Sequence, residues 1–147
     1  MELRDLARTI DGLTPTTKPA WGKMTAQHMV EHLTETLKIA IGEEEIPVYT
    51  PENQLAEMRR FLMGNRAFPR GVVSPAVGSE LPRLKHDTFE DAMAAFWRYI
   101  YAFEKYYRDN PDATHINPAF GKLTYPEWRQ FMTKHFTHHF EQFGLIK

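Results

Sequence analysis

The sequence predicts an all-α protein, a four-helix bundle with one extra short helix and a long loop rich in proline and glycine. Three observations predict this class. Several segments repeat apolar residues at the spacing of an amphipathic helix. Capping residues precede these segments and helix-breaking residues follow them. No segment shows the sustained alternation of a half-buried strand. The 147 residues match the usual size of one domain, so we expect a single bundle domain over residues 1–147.

Capping and breaking residues set the limits of the main helices. Thr25 and Thr88 are residue types that commonly cap the amino end of a helix. Thr124 and Glu127 have the spacing of a capping box, and a proline lies in the same first turn. The main helices of the bundle are therefore expected over residues 2–12, 25–41, 88–109 and 125–143.

Two further segments complete the chain. Thr50 and Pro51 open an extra short helix over residues 51–63, which Gly64 ends. Residues 65–87 show no helical period and form a loop of unusual length for a compact domain. Such loops often carry function, but an extended segment that covers one edge of the bundle explains the pattern equally well.

Composition excludes several classes of function. The chain is 42% hydrophobic and 25% charged, with a net charge of −1, as is ordinary for a globular protein. The absence of a basic excess argues against a nucleic-acid partner and against a membrane-surface partner. The chain has no cysteine, which excludes disulfides, thiolate metal sites and a cysteine nucleophile.

The amino terminus and the hydropathy pattern predict the location. Three of the first five residues, Glu2, Arg4 and Asp5, are charged, and the segment lacks the apolar core of a signal peptide. No apolar run approaches the ~18 residues that a membrane span needs. We therefore expect a cytoplasmic protein.

Histidines are the residues most suggestive of function. Five of the seven lie in two of the predicted helices: His28, His32, His135, His138 and His139. Each group contains a His-x-x-x-His pair, whose side chains share one face of a helix at ~5–6 Å between Cβ atoms. Two such imidazoles can reach one ion at a Zn–N distance of ~2.0–2.1 Å. A third from a facing helix would complete a site of the kind found in bundle cores.

Ordinary packing is the alternative for these residues. A histidine on an apolar stripe usually bonds a carbonyl or a water, and a surface cluster can chelate metal incidentally. His115 fits a turn better than the mouth of the bundle, and His86 receives no role. Glu31, Glu35 and Glu141 could orient imidazoles, although a solvated face is at least as good an explanation. Core packing is also favoured for most of the aromatic candidates Trp97, Tyr101, Trp128 and Phe131.

Two motifs carry a resemblance to a known family. Residues 21–27 read WGKMTAQ and lead into His32-Leu33, and residues 120–124 read FGKLT and lead into HFTHHFEQFGL at residues 135–145. Together they resemble the DinB-like superfamily, in one of its uncharacterised bacterial branches. The resemblance implies a bundle in up-down-down-up order with a long crossover connection. It also implies that His32, His135 and His139 ligate a metal, and it leaves the roles of His28 and His138 open.

The resemblance and the histidines together suggest an activity. Characterised members of the superfamily include metal-dependent transferases that use low-molecular-weight thiols, and a thiol-dependent maleylpyruvate isomerase. We expect a metal-dependent thiol transferase or hydrolase that acts on a small molecule and forms a homodimer. The cofactor would be divalent Zn, Ni, Fe or Mn, with a low-molecular-weight thiol as a possible co-substrate. No catalytic residue is assigned.

Two other functions remain open at this stage. The chain could be a non-catalytic metal-binding module for stress response or interaction, with a coordination sphere closed by His28 or His138. It could also bind an apolar small molecule in its aromatic interior without any metal.

Overall fold

The computed structural model describes residues 2–71 and 80–147. Within these ranges the chain forms five α-helices and one two-stranded sheet. The helices are α1 (Leu3–Ala7), α2 (Ala26–Ala40), α3 (Leu55–Met63), α4 (Phe89–Asp109) and α5 (Tyr125–Gln142), and the strands are β1 (His115–Asn117) and β2 (Gly121–Leu123). Short 3₁₀ segments extend α1 over Arg8–Gly12 and precede α3 over Glu52–Gln54.

The predicted fold class, an all-α four-helix bundle in up-down-down-up order, is wrong. The structure is a small mixed fold, because an antiparallel hairpin joins α4 to α5 and pairs Ile116 with Lys122. The Asn117 side chain accepts hydrogen bonds from the backbone amides of Ala119 and Phe120 at 2.9 and 3.1 Å and so closes the turn. Each strand has only three residues, which is too short to show an alternating pattern.

The predicted helical segments are confirmed, and their caps explain where they begin. The Thr25 hydroxyl accepts from the backbone amide of His28 at 3.2 Å, and the Thr88 hydroxyl accepts from that of Asp91 at 3.0 Å. At the start of α5 the backbone amide of Thr124 donates to the Glu127 carboxylate at 3.0 Å. Each cap satisfies amide groups that the first turn of a helix leaves without a partner.

Aromatic side chains dominate the core that joins the helices. α2 packs against α4 and α5, and α5 also packs against α1 and α3. Full burial of an aromatic or branched aliphatic side chain contributes about 1.5–3 kcal/mol, so this core fixes the position of α2 relative to α5. Its largest fully buried side chains include Trp128, Phe96, Phe103, Phe136 and Phe140.

The predicted loop over residues 65–87 is described at both ends, while residues 72–79, with Val72 and Val73, lie outside the described residues. At the first end the ring of Phe68 packs against those of Phe61, Phe120 and Phe131.

No helix in the described ranges has the length and apolar character that crossing a membrane requires.

Candidate metal centre

The three histidines expected to bind metal lie together. His32 comes from α2, and His135 and His139 come from successive turns of α5. The Nε2 atom of His135 lies 2.9 Å from Nε2 of His32 and 3.1 Å from Nε2 of His139. Tetrahedral ligands at a Zn–N distance of ~2.0–2.1 Å would be separated by roughly 3.3 Å. The ligand atoms of all three histidines lie within 4.8 Å of one another, so they are spaced closely enough to share one cation.

The orientation of the three rings also suits a shared ligand. Their centroids are 4.7–4.9 Å apart, and each pair of ring planes is inclined by 74–80°. Rings that stacked on one another would present faces, whereas these rings meet edge to edge with a nitrogen of each at the centre. His135 and His139 are buried, and His32 is partly exposed.

Burial keeps all three imidazoles neutral. It lowers the pKa of His32 to about 4 and that of His139 to about 3, and it lowers the pKa of His135 well below its ordinary value. The neighbouring imidazoles add to each effect, since a second positive charge in the cluster would be repelled. The neutral imidazole is the form that ligates metal, so at neutral pH the group need not lose protons to bind a cation.

Gln142 holds His139 in the orientation that ligation requires. Nδ1 of His139 donates to the side-chain oxygen of Gln142 at 2.7 Å. The Gln142 amide nitrogen donates in turn to the backbone oxygen of Trp21 at 2.9 Å, and because a carbonyl can only accept, this contact fixes which way the amide points. The proton of His139 is thus held on Nδ1, and the Nε2 lone pair faces the cluster.

The sequence interpretation gave Gln142 no role. Its signal was its position three residues after His139, which places both side chains on one face of α5. A glutamine three residues after a histidine in a predicted helix indicates a possible hydrogen bond between the two side chains.

His135 has surroundings that an ordinary core histidine lacks. The hydrogen-bond neighbours of its Nε2 atom are the imidazole nitrogens of His32 and His139. Its Nδ1 atom is buried and has no hydrogen-bond partner among the described residues. The ring packs against Phe131 and Phe68, with centroids 5.0 and 6.4 Å away. Because the proton of His139 lies on its Nδ1, at most one of the two Nε2 contacts of His135 can be a hydrogen bond, so this arrangement favours a shared cation over simple packing.

His28 and His138 do not join the group. The His28 ring lies 2.7 Å from the Thr25 hydroxyl and 3.0 Å from the backbone oxygen of Pro82, so it supports the start of α2. His138 hydrogen-bonds the backbone of Phe68, and its ring meets that of Trp21 at 5.7 Å. Neither ring supplies a fourth ligand, and the sphere built from the described residues therefore has three protein ligands.

The acidic candidates do not orient the imidazoles. Glu31 accepts from the backbone amides of Lys85 and His86 at 2.7 and 3.1 Å, and from the Gln27 side chain at 3.0 Å. Burial would raise the pKa of Glu31, but these hydrogen bonds lower it below its ordinary value. Glu31 thus anchors the segment that contains Lys85 and His86 to α2. The anchor is at the position directly before His32 in the chain.

Two further acids also lie outside the group. Glu35 pairs with Lys38 at 3.6 Å and with Lys85. Burial lowers the pKa of His138 below its ordinary value, and the nearby Glu141 carboxylate partly opposes this lowering.

The remaining candidates lie away from the three nitrogens, with one exception. His115 contacts the Tyr106 hydroxyl at 2.7 Å and lies beside Gly42, just past the carboxyl end of α2, which is about 12 Å along the helix from His32. Trp97 and Tyr101 pack on each other along α4, and Trp128 belongs to the core. The exception is Phe131, whose ring covers one side of His135.

Comparison with known proteins gives a family and no function. A family model described as a protein of unknown function, DUF1569, matches residues 58–144, more than half of the chain. The match includes His135 and His139 and begins after His32. No curated protein and no solved structure matches the chain. The resemblance to the DinB-like superfamily is not tested by these matches and stays a prediction.

Proposed function

For this chain, which belongs to the DUF1569 family of proteins of unknown function, we propose from the site itself a metal-dependent enzyme that acts on a small molecule. His32, His135 and His139 would hold one divalent cation through their Nε2 atoms. The observation that carries the proposal is the environment of His135, a buried imidazole whose Nε2 atom lies 2.9 and 3.1 Å from two other imidazole nitrogens. Imidazole ligands suit Zn, Ni and Fe, and Mn is the weakest candidate.

The donor set suggests the reaction class. Three neutral imidazoles leave positions open to water or substrate, which is typical of catalytic rather than structural metal sites. A cation there would activate a bound water for hydrolysis or hold a small thiol as its thiolate. Such a thiol would have to come from solution, because the chain has no cysteine. The resemblance to the DinB-like superfamily favours thiol transfer, and a homodimer is part of the same proposal.

The chain's own residues would orient the ligands and limit access of water. Gln142 fixes the ring of His139 from one side. Phe68 and Phe131 pack against the ring of His135 on another. His32, as the most exposed of the three ligands, marks the side from which a substrate would approach.

Elemental analysis with matched histidine variants tests metal binding. We expect one divalent cation per chain in the wild type, and loss of that cation in His32→Ala, His135→Ala and His139→Ala. His28→Ala is the control, because it removes the same side chain from the same helix as His32 but outside the cluster. A wild type that takes up no stoichiometric metal, or a His135→Ala variant that keeps it, would contradict the proposal.

Turnover tests the enzymatic part separately. The metal-loaded protein should conjugate a small thiol to an electrophile such as chlorodinitrobenzene, or hydrolyse an activated ester, and a chelator should abolish the activity. A fully loaded protein that does neither would support a non-catalytic metal-binding module instead.

A further inference from the structure

We propose that Arg70 is a substrate-binding residue beside the metal centre and selects small molecules that carry a carboxylate. The inference rests on the proposed metal site and adds a substrate class to it. It starts from a guanidinium group that two intervening rings connect to a candidate ligand histidine and that pairs with no carboxylate in the described ranges.

A short series of ring contacts connects Arg70 to the cluster. The guanidinium carbon of Arg70 lies 4.1 Å from the centroid of the Trp21 ring. The Trp21 ring meets the ring of His138 at 5.7 Å, and His138 meets His139 at 5.0 Å. Arg70 therefore lies at the rim of the site on the side of His139.

Trp21, whose ring lies under Arg70, is held in place relative to the proposed metal ligands. The backbone oxygen of Trp21 accepts the hydrogen bond from Gln142, and Gln142 in turn holds His139. The backbone amide of Ala20 also donates to the backbone oxygen of Gln142 at 2.7 Å. A guanidinium stacked on Trp21 is thus held at a defined position with respect to His139 rather than on an independent loop.

The charge of Arg70 is uncompensated in the described part of the chain. Arg4, Arg8 and Arg59 each lie within 4.0 Å of a carboxylate, whereas none of the described carboxylates lies that close to Arg70. Glu141, the acid that acts on His138, makes no such pair with Arg70. The cluster itself is built from neutral imidazoles, so a bound dication and Arg70 would together form a strongly positive site.

Arg70 is exposed where it lies over the Trp21 ring, so its donors are available to a ligand. An arginine that stacks on an aromatic face keeps its donors in the guanidinium plane, where they match the two oxygens of a carboxylate. A metal that binds one end of a small molecule and an arginine that binds its carboxylate would fix the molecule at two points. The geometry therefore points to an anionic organic substrate with its carboxylate a few bonds from the group that meets the metal.

Cobalt-loaded protein and a series of thiol probes test this assignment. Mercaptoacetate, mercaptopropionate and mercaptohexanoate would each bind cobalt through sulfur, and uncharged mercaptoethanol is the matched probe. The thiolate-to-cobalt absorption band gives the affinity of each. In the wild type we expect at least one acid to bind roughly tenfold more tightly than mercaptoethanol, because a charge-assisted bidentate contact is added.

Three variants test whether Arg70 causes the preference for the acidic thiol. Arg70→Gln should abolish the preference for the acid and leave the affinities for cobalt and mercaptoethanol unchanged, and Arg70→Lys should keep part of the preference. Arg66→Gln is the control, because Arg66 also lies over an aromatic ring, but that ring is Phe61, at 5.8 Å, rather than Trp21. An equal preference in wild type and Arg70→Gln, or none in the wild type, overturns the inference while cobalt binding stands. A wild type that binds no cobalt overturns the proposed function, and this inference with it.

Discussion

His135 is the residue whose surroundings most restrict the interpretation of the site. Its Nδ1 atom is buried without a partner among the described residues, and its Nε2 atom faces two imidazoles. A buried polar group without a partner costs about 1–3 kcal/mol. Under the proposal, coordination through Nε2 would be the compensating interaction for an imidazole packed against Phe131 and Phe68.

Replacement of Gln142 by Ala should weaken metal binding while the fold is kept. The change removes the acceptor that holds the proton of His139 on Nδ1, and loss of such a partner typically lowers metal affinity by about 10–100-fold. Competition with a chromophoric chelator measures the zinc affinity. Gln130→Ala is the control, because Gln130 is also on α5 but bonds the backbone oxygen of Leu62. Equal affinities in the two variants would exclude an orienting role for Gln142.

Acidification should destabilise the metal-free protein. Burial lowers the pKa of His32 from 6.5 to about 4 and that of His139 to about 3. Below its ordinary pKa each histidine binds a proton in the unfolded chain but not in the folded one, so the free energy of unfolding falls as the pH drops from 6.5 towards 4. Urea unfolding in the presence of a chelator should show a loss of at least about 1 kcal/mol between about pH 7.5 and about pH 5.

The control for this experiment removes one titrating group. In His32→Leu the dependence on pH should be shallower than in the wild type. Identical stability of the wild type at both pH values would show that the buried histidines are not held neutral by the fold.

At the scale of elements, the three candidate ligand histidines come from two helices that the core fixes together, and other segments attach to those helices. The segment around residues 82–86 attaches to α2 through His28, Glu31 and Gln27. The hairpin attaches to the carboxyl end of α2 through His115. Neither attachment uses a metal ligand, so each should affect stability without affecting metal binding.

A pair of glycines tests the hairpin contact. Gly42 and Gly144 both have positive φ, 81° and 70°, where an alanine is strained by about 1–2 kcal/mol. A Cβ at Gly42 would clash with the ring of His115, whereas one at Gly144 would meet nothing within 4 Å. Gly42→Ala should therefore be more destabilising than Gly144→Ala by about 1–3 kcal/mol in urea unfolding. Both variants should bind one zinc ion, and equal destabilisation would argue against tight packing of His115 on α2.

The helices could be predicted because their signals are local, and the hairpin could not because its signal is weak. Thr25, Thr88 and Thr124 each precede an apolar repeat, and each caps a helix in the structure. In the hairpin the turn between Asn117 and Gly121 was visible as a proline flanked by turn-forming residues. Strands of three residues carry no periodicity, so the sequence pattern does not distinguish this hairpin from an irregular linker.

At the scale of the whole molecule, the grouping of the ligands could be predicted and their supports could not. The spacing of His135 and His139 fixes their shared face, and the resemblance to a known superfamily selected His32 over His28. The contacts of Gln142 with Trp21, and of Arg70 with the same residue, join positions far apart in the chain. Local sequence patterns hold no information about such contacts, which depend on how α2, α5 and the loops pack together.

X-ray absorption spectroscopy at the zinc edge tests the central claim most directly, since it counts the ligands of the bound ion in solution. For the zinc-loaded wild type we expect three imidazole nitrogens at ~2.0–2.1 Å and at least one exchangeable oxygen. The imidazole signal should be lost in His135→Ala and unchanged in His28→Ala. A wild type that retains no zinc, or a zinc shell without imidazole nitrogen, would contradict the account.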